Sequence, residues 1–190
     1  MSTAPRVVSL QPFSAEKGPA EKPASASAAG GAVQSLEVQV IQADTQTLHL
    51  RYVLNANLGR LRIPAVKASA RTDELWKHTC FEAFLRAREG TAYHELNASP
   101  STEWALYSFD DYRNGMAPVT RTEPPRILIE QSAQRLTVDV QLSLKTLPAS
   151  RAVALAAVIE DDGGSLSYWA PKHPAGRPDF HHADGFALEL

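Results

Sequence analysis

The sequence predicts an all-β protein: an antiparallel β-sandwich, jelly-roll-like, with about ten strands and little helix. Three observations support this class. Short apolar runs alternate with polar residues at period two, turn signals separate these runs at roughly 10-residue spacing, and no long segment shows the repeat of about 3.6 residues typical of an amphipathic helix. The 190 residues are enough for one sizeable domain and too few for two ordinary ones.

The predicted elements follow in chain order. Residues 1–32 combine an N-terminal strand at 6–10 with a flexible insertion rich in Ala, Pro and Ser at 14–31; a disordered tail is the equal alternative for the first strand. Residues 33–190 form the sandwich domain. Its expected strands are 36–40, 48–52, 79–88, 93–99, 103–110, 126–131, 135–142, 153–160, 166–170 and 185–190.

Composition and charge exclude several classes of function. The net charge of -2 argues against a nucleic-acid partner held mainly by bulk charge. A single cysteine, Cys80, cannot form an internal disulfide, so a disulfide-stapled scaffold is excluded. No window approaches the ~20 apolar residues of a membrane span, and the first residues lack the continuous apolar stretch of a secretory signal. We therefore expect a cytoplasmic protein without membrane or nucleic-acid partners.

Strand alternation predicts one unusually polar sheet face. A hairpin turning at residues 89–90 places Phe81 and Leu85 on the core face. The opposite face then carries Cys80, Glu82, Glu95 and Asn97, with Glu82 opposite Asn97. If the next turn lies at residues 100–101, Trp104 joins the polar face, and Tyr107 points into the core. A slip of one residue would reverse that last assignment.

These residue types suit recognition of a small polar ligand, above all a sugar. Indole rings cover the C–H faces of a pyranose, while carboxylate and amide groups bind its hydroxyls. The alternative is that the tryptophans belong to the core or a sheet edge and the carboxylates are simply solvated, since half-exposed sheet faces are ordinarily polar. The candidate ligand-binding residues are Trp76, Glu82, Glu95, Asn97, Trp104 and Trp169.

The central block LWKHTCFEAFLRAREGTAYHELNASPSTEWALYSFDDYR resembles the DOMON-like superfamily, which groups DOMON domains with family 9 carbohydrate-binding modules. The later segment SYWAPKHPAGRPDFHHADGF resembles the closing part of bacterial stand-alone DOMON-like proteins. Together the similarity covers residues 33–190. It implies a β-sandwich of about ten strands that clasps a terminal sugar between two tryptophans near a glutamate. By position Trp76 and Glu82 match that motif, with Trp169 as the candidate second aromatic residue.

Two alternatives use histidines. The resemblance also implies that haem b, held by an axial Met with His or Lys, is an alternative cofactor. Met116 is the only internal Met, and its candidate partners are His78, His94, His173, His181 and His182. A metal hydrolase would use His173, Asp179, His181 and His182, but their spacing matches no zinc pattern, and loop histidines bonded to backbone are the favoured interpretation. We therefore assign no cofactor and no metal ligand.

Two catalytic hypotheses remain on the polar face. Glu82 and Glu95 are expected to be diagonal neighbours about 7–8 Å apart, which falls within the range of an inverting glycosidase pair. However, a flat sheet face excludes water poorly, and nothing in the sequence raises the pKa of either carboxyl. Cys80 shares the face without an obvious activating His, so we interpret it as a passive thiol. The predicted function is non-catalytic ligand binding, with a haem-binding electron carrier and a small hydrolase as alternatives.

Overall fold

The computed structural model describes residues 5–14, 31–44, 46–87, 89–147 and 152–189. Most of the predicted insertion, residues 15–30, lies outside these residues. The described chain confirms the predicted all-β class. Its strands are β1 (Arg6–Pro12), β2 (Val33–Ala43), β3 (Thr47–Ala56), β4 (Cys80–Arg86), β5 (Tyr93–Ala98), β6 (Trp104–Phe109), β7 (Ala117–Pro118), β8 (Arg126–Gln131), β9 (Arg135–Ser143), β10 (Ala152–Glu160), β11 (Leu166–Ala170) and β12 (Leu188–Glu189).

The strands form one strongly curled antiparallel sheet, and its two halves fold over each other as a sandwich. Its order is β7-β6-β5-β4-β10-β11-β1-β2-β3-β9-β8, and β12 pairs with β10. Strand β1 pairs with both β11 and β2, so the N-terminal segment is part of the sheet rather than a tail. The two halves pack face to face: the rings of Tyr52 on β3 and Phe81 on β4 lie 5.1 Å apart, and the Tyr52 hydroxyl donates to the carbonyl of Glu82.

The predicted hairpin between β4 and β5 has the expected register. Glu82 lies opposite Asn97, and Phe84 lies opposite Glu95. Phe81 faces the main core between the two halves of the sheet, together with Ala83, Leu85, Leu96 and Ala98. The alternation therefore separates an apolar inner face from an outer face that carries Glu82, Glu95 and Asn97, as the sequence predicted.

The predicted position of Trp104 is wrong by one residue. Ala98, not Asn97, pairs with Trp104, so this indole points into the main core. The cause is the connection at residues 100–102, where Thr102 adopts a φ of 71° and the loop holds three residues rather than two. One extra left-handed residue reverses the face of every following side chain. Tyr107 and Phe109 consequently lie on the outer face.

The hairpin between β10 and β11 is also one residue longer than predicted. The backbone N–H of Asp161 donates to Ser165, and Gly164 occupies the left-handed region with a φ of 88°. The loop therefore spans residues 162–164 instead of a two-residue turn at 162–163. Within β11 the predicted alternation holds: Trp169 faces the main core, and Tyr168 faces outward into a cavity.

The outer face of β4, β5, β6 and β10 is covered rather than open. A second buried cluster packs on it and includes Leu75, Cys80, Phe84, Tyr93, Ala105, Tyr107 and Phe109. Trp76, Phe180 and Phe186 pack over this cluster from the 3₁₀ turn at Leu75–Lys77 and the segment before β12. Within the described part of the chain, no helix is long and apolar enough to span a membrane.

Candidate functional site

A cavity of about 440 Å³ lies on the covered outer face of the sheet. Strands β4 and β5 supply its carboxyl groups, β11 supplies one wall, and the loops after β6 and β11 supply the rim. Its lining includes Trp76, Glu82, Glu95, Phe109, Arg113, Tyr168, Phe180 and His181. The face that the sequence predicted to be an open hollow is therefore a partly covered, ligand-sized pocket.

Glu82 is the most unusual residue of the cavity. Its side chain is 3% exposed, and its Oε1 atom has no hydrogen-bond partner. Burial raises the pKa of this carboxyl well above its ordinary value; neighbouring Glu95 raises it further, and Arg113 opposes the shift. The expectation that no environment raises a carboxyl pKa on this face is therefore wrong, because the covering loops desolvate it.

Glu95 lies diagonally from Glu82 across the β4–β5 pair. Asn97 donates from its Nδ2 to Glu95 Oε1 at 2.7 Å. Burial raises the pKa of the Glu95 carboxyl, while the bond from Asn97 and the charge of Arg113 lower it. Asn97 is fully buried behind Glu95 and does not line the cavity, so it positions the carboxyl rather than contacting a ligand.

His181 joins the cavity wall to the second cluster. The Tyr93 hydroxyl lies 2.7 Å from its Nδ1, and the backbone N–H of Arg113 donates to the Tyr93 oxygen at 3.1 Å. If the Tyr93 proton bonds to Nδ1, the imidazole proton lies on Nε2, which is 3.8 Å from Glu95 Oε2. Burial and then the charge of Arg113 lower the pKa of His181 to about 4 against the opposing charge of Asp179, so the ring is neutral at pH 7.

Arg113 and Asp179 connect two loops across the rim. Arg113 Nη2 donates to Asp179 Oδ1 at 2.9 Å, and the Tyr112 hydroxyl donates to Asp179 Oδ2. The backbone N–H of His181 also donates to Asp179 Oδ1. The carboxylate of Asp179 therefore orders the rim, and the guanidinium of Arg113 is already paired with it.

Aromatic rings form the walls. Trp76 lies on the 3₁₀ turn at Leu75–Lys77 and packs edge-on against Tyr107, with their ring centroids 5.7 Å apart. On the opposite side, Tyr168 and Phe180 pack against each other at 6.1 Å. Such rings present apolar surface to a ligand while the carboxyls provide its polar contacts.

The structure brings together only part of the predicted set. Trp76, Glu82 and Glu95 share the cavity, whereas Trp104 and Trp169 are buried in the main core, where the Trp169 indole N–H donates to Ser167. Residues that sequence reasoning missed are Arg113, Tyr168 and Phe180. The alternation in β11 could have identified Tyr168, but Arg113 and Phe180 come from loops without a periodic pattern.

The candidate metal ligands do not converge. His173 bonds through Nε2 to the carbonyl of Gln11, and His182 accepts a bond from the backbone of Asp184. Asp179 is paired with Arg113 at the rim. Among the residues that the structure describes, no group of three His, Cys, Asp or Glu side chains is placed to hold a metal ion.

The cavity residues do not fit haem. Met116 and His181 both line the cavity, as an axial pair would have to. Both His181 nitrogens, however, already face polar groups, Tyr93 on one side and Glu95 on the other. The pocket also presents two carboxyls where a haem macrocycle needs apolar walls.

A second cavity of about 720 Å³ lies on the other side of the Leu75–Lys77 turn. Its buried acid is Glu160, whose Oε1 accepts from Arg62 Nη1 at 2.9 Å and whose Oε2 lies 2.7 Å from His78 Nδ1. A further acid in its lining, Glu103, is paired with Lys67. Glu160 and Glu103 are therefore paired with basic side chains of the protein itself, whereas Glu82 is not paired within the described part of the chain.

Comparison with known proteins supports the fold. No family model matches the chain, and no curated protein matches it. A solved structure from Bacteroides uniformis, provisionally described as a carbohydrate-binding protein, is similar in fold at a TM-score of 0.57 and 10% identity, over 94% of this chain and 84% of that one. A family 9 carbohydrate-binding module from Caldicellulosiruptor kristjanssonii in complex with glucose aligns at 9% identity and a TM-score of 0.38, over 82% of this chain and 83% of the module. At such identities the first likeness shows a shared fold alone, and the second is too weak to add to it.

Proposed function

We propose that this β-sandwich binds a small polar ligand, a sugar or sugar-like metabolite, in the cavity beside Trp76 and Glu82 without altering it chemically. The observation that carries the proposal is the unpartnered Oε1 atom of Glu82. A buried acceptor without a partner is costly, and proteins rarely keep one without a reason. If the Glu82 carboxyl rotates towards the cavity that its side chain lines, a ligand hydroxyl provides the missing bond.

The size and walls of the cavity agree with this proposal. Its volume of about 440 Å³ falls within the range of small-molecule sites. Trp76, Tyr168 and Phe180 offer flat apolar surface for the C–H faces of a sugar ring. The carboxyls of Glu82 and Glu95 offer acceptors for its hydroxyls. The fold shared with the Bacteroides uniformis protein, itself provisionally described as carbohydrate-binding, adds support.

Tryptophan fluorescence offers a direct test, because Trp76 is the only tryptophan of the chain that lines the cavity. Titration with a panel of mono- and disaccharides should give a saturable shift in the wild-type protein. The shift should disappear in Trp76→Phe and persist in Trp104→Phe and Trp169→Phe, which alter core indoles. If calorimetry also shows no saturable binding of any panel member to the wild-type protein, the proposal fails.

A second candidate, glycoside hydrolysis, is favoured by one observation. Glu82 and Glu95 are buried diagonal neighbours, and burial raises the pKa of both, as a general acid requires. Release of nitrophenol from nitrophenyl glycosides tests it. Binding without catalysis predicts no turnover. Turnover in the wild-type protein that is lost in both Glu82→Gln and Glu95→Gln would replace the binding proposal with this one.

A further inference from the structure

The charges around the cavity that Trp76 and Glu82 line are unbalanced. Two cationic side chains reach its lining, Arg113 and Lys77, and each is paired with an acid outside the carboxyl pair: Arg113 with Asp179 at 2.9 Å and Lys77 with Glu74 at 2.7 Å. His181, the remaining basic group, is neutral and lies 3.8 Å from Glu95. Within the described residues, Glu82 forms no ion pair.

We propose that the ligand carries a protonated primary amine, as an amino sugar does, and that this ammonium group binds between Glu82 and Glu95. The inference rests on the proposed binding function and specifies its ligand class. An ammonium has three N–H donors and no acceptor. Both carboxyls line the same cavity, and a rotation of the Glu82 side chain that brings its unpartnered oxygen towards the cavity would let one ammonium donate to both acids.

A neutral sugar hydroxyl satisfies the site less completely. It donates a single hydrogen bond and carries no charge, so it does not stabilise the ionised form of either buried acid as a cation does. An ammonium supplies the positive charge that the protein provides for Glu160 through Arg62 but does not provide here. The rings of Trp76, Tyr168 and Phe180 line the same cavity, and aromatic faces attract a cation further.

Ammonium binding should release a proton. Without ligand, burial favours the neutral form of the acid pair, so the cavity retains protons that an ammonium would displace. The other titratable or charged groups around the pair are Tyr52, Cys80, Tyr93, Arg113, Asp179, His181 and Lys77. Of these, Tyr52, Cys80 and Tyr93 have raised pKa values and His181 a lowered one, so none of the four titrates near pH 6.

The test compares matched sugars by calorimetry at pH 6: glucosamine with glucose, galactosamine with galactose, and mannosamine with mannose. We expect at least one amino sugar to bind tenfold or more tightly than its neutral counterpart. Its heat should differ between two buffers of different ionisation enthalpy, which reports the released proton. N-acetylation, which removes the charge, should abolish the preference.

Variants test whether the preference for amino sugars depends on Glu82 and Glu95. Glu82→Gln should lose the tenfold preference and the buffer dependence, whereas Glu160→Gln, which alters the acid of the second cavity, should retain both. Binding of neutral sugars as tight as their amino counterparts, or binding of neutral sugars alone, overturns the amine inference and leaves the proposed function standing. A preference that survives in Glu82→Gln/Glu95→Gln overturns the assignment to this acid pair. Failure of every sugar to bind overturns the proposed function as well.

Discussion

Glu82 and Glu160 lie on neighbouring strands and are almost equally buried, at 3% and 5% exposure, yet their surroundings differ completely. Glu160 is held by Arg62 and His78, so its charge has partners within the protein. Glu82 has an unpartnered oxygen, a second acid beside it and no paired cation among the described residues.

The difference distinguishes a structural acid from a candidate binding acid. Burying an unpaired carboxylate is costly, and the cost is ordinarily met by an ion pair or by protonation. Around Glu160 the sequence provides the ion pair. Around Glu82 burial raises the pKa so that protonation takes that role, and the side chain lines a cavity. Four measurements can separate the two sites.

The largest effect concerns His181, the basic group nearest Glu95. Its pKa is about 4 in the folded protein and ~6.5 when unfolded. A lowered pKa of a basic group stabilises the fold fully above pH ~6.5, and this stabilisation is lost as pH falls towards 4. The loss is on the order of 3 kcal/mol. Urea unfolding at pH 7 and pH 4 should show a smaller loss in His181→Gln than in the wild-type protein. An equal loss in both would mean that His181 is charged and already compensates Glu95.

The second effect concerns Glu160 and its ion pair with Arg62. Arg62→Ala leaves Glu160 with only His78, and we expect a loss of about 1–2 kcal/mol in the free energy of unfolding. The figure is modest because the Arg62 side chain is 55% exposed. Arg60→Ala is the matched control: it breaks the exposed pair with Asp162 and should cost about 0.5 kcal/mol or less. Equal costs would contradict the structural role of Glu160.

Strand alternation was sufficient to predict one half of the cavity. The β4–β5 register followed from the hairpin at residues 89–90, and it placed Glu82 and Glu95 on one face correctly. The predicted position of Trp104 was wrong because a single residue, Thr102, adopts a left-handed conformation that no composition rule required. The two-residue turn was expected because Pro100 fits the second position of a β-turn.

The other half of the cavity could not be predicted from periodicity. Arg113, Phe180 and His181 reach it from loops, and their positions depend on the bonds that converge on Asp179 and Tyr93. Loops carry no period-two signal, and the contacts that order them are far apart in sequence. For the same reason the sequence suggested an open face, and the burial that raises the pKa of Glu82 went unpredicted.

The third effect is a smaller change in the free energy of unfolding, and it should have opposite signs for Glu82→Gln and Glu160→Gln. Glu82→Gln keeps the shape of the side chain and removes a buried ionisable group without breaking an ion pair. At pH 7 we expect an unchanged free energy of unfolding or a gain of up to about 1 kcal/mol. Glu160→Gln removes the charge opposite Arg62 and His78 and should lower the free energy of unfolding. A clear destabilisation by Glu82→Gln would show that the protein itself satisfies this carboxyl.

The smallest effect is the slope of the free energy of unfolding against pH. For an acid whose folded pKa is raised, the folded state binds more protons than the unfolded state, so stability declines as pH rises from ~4.3 through the folded pKa. Above pH ~7.5 the imidazole of His181 is neutral in both the folded and the unfolded state, so the decline in the wild-type protein relative to Glu82→Gln reports the acid pair. It should be a fraction of the ~1.4 kcal/mol per pH unit that one full proton would give. Glu82→Gln should flatten it and Glu160→Gln should not. A wild-type protein without any decline would mean that the pair is already ionised at neutral pH, which would remove the distinction between the two buried acids.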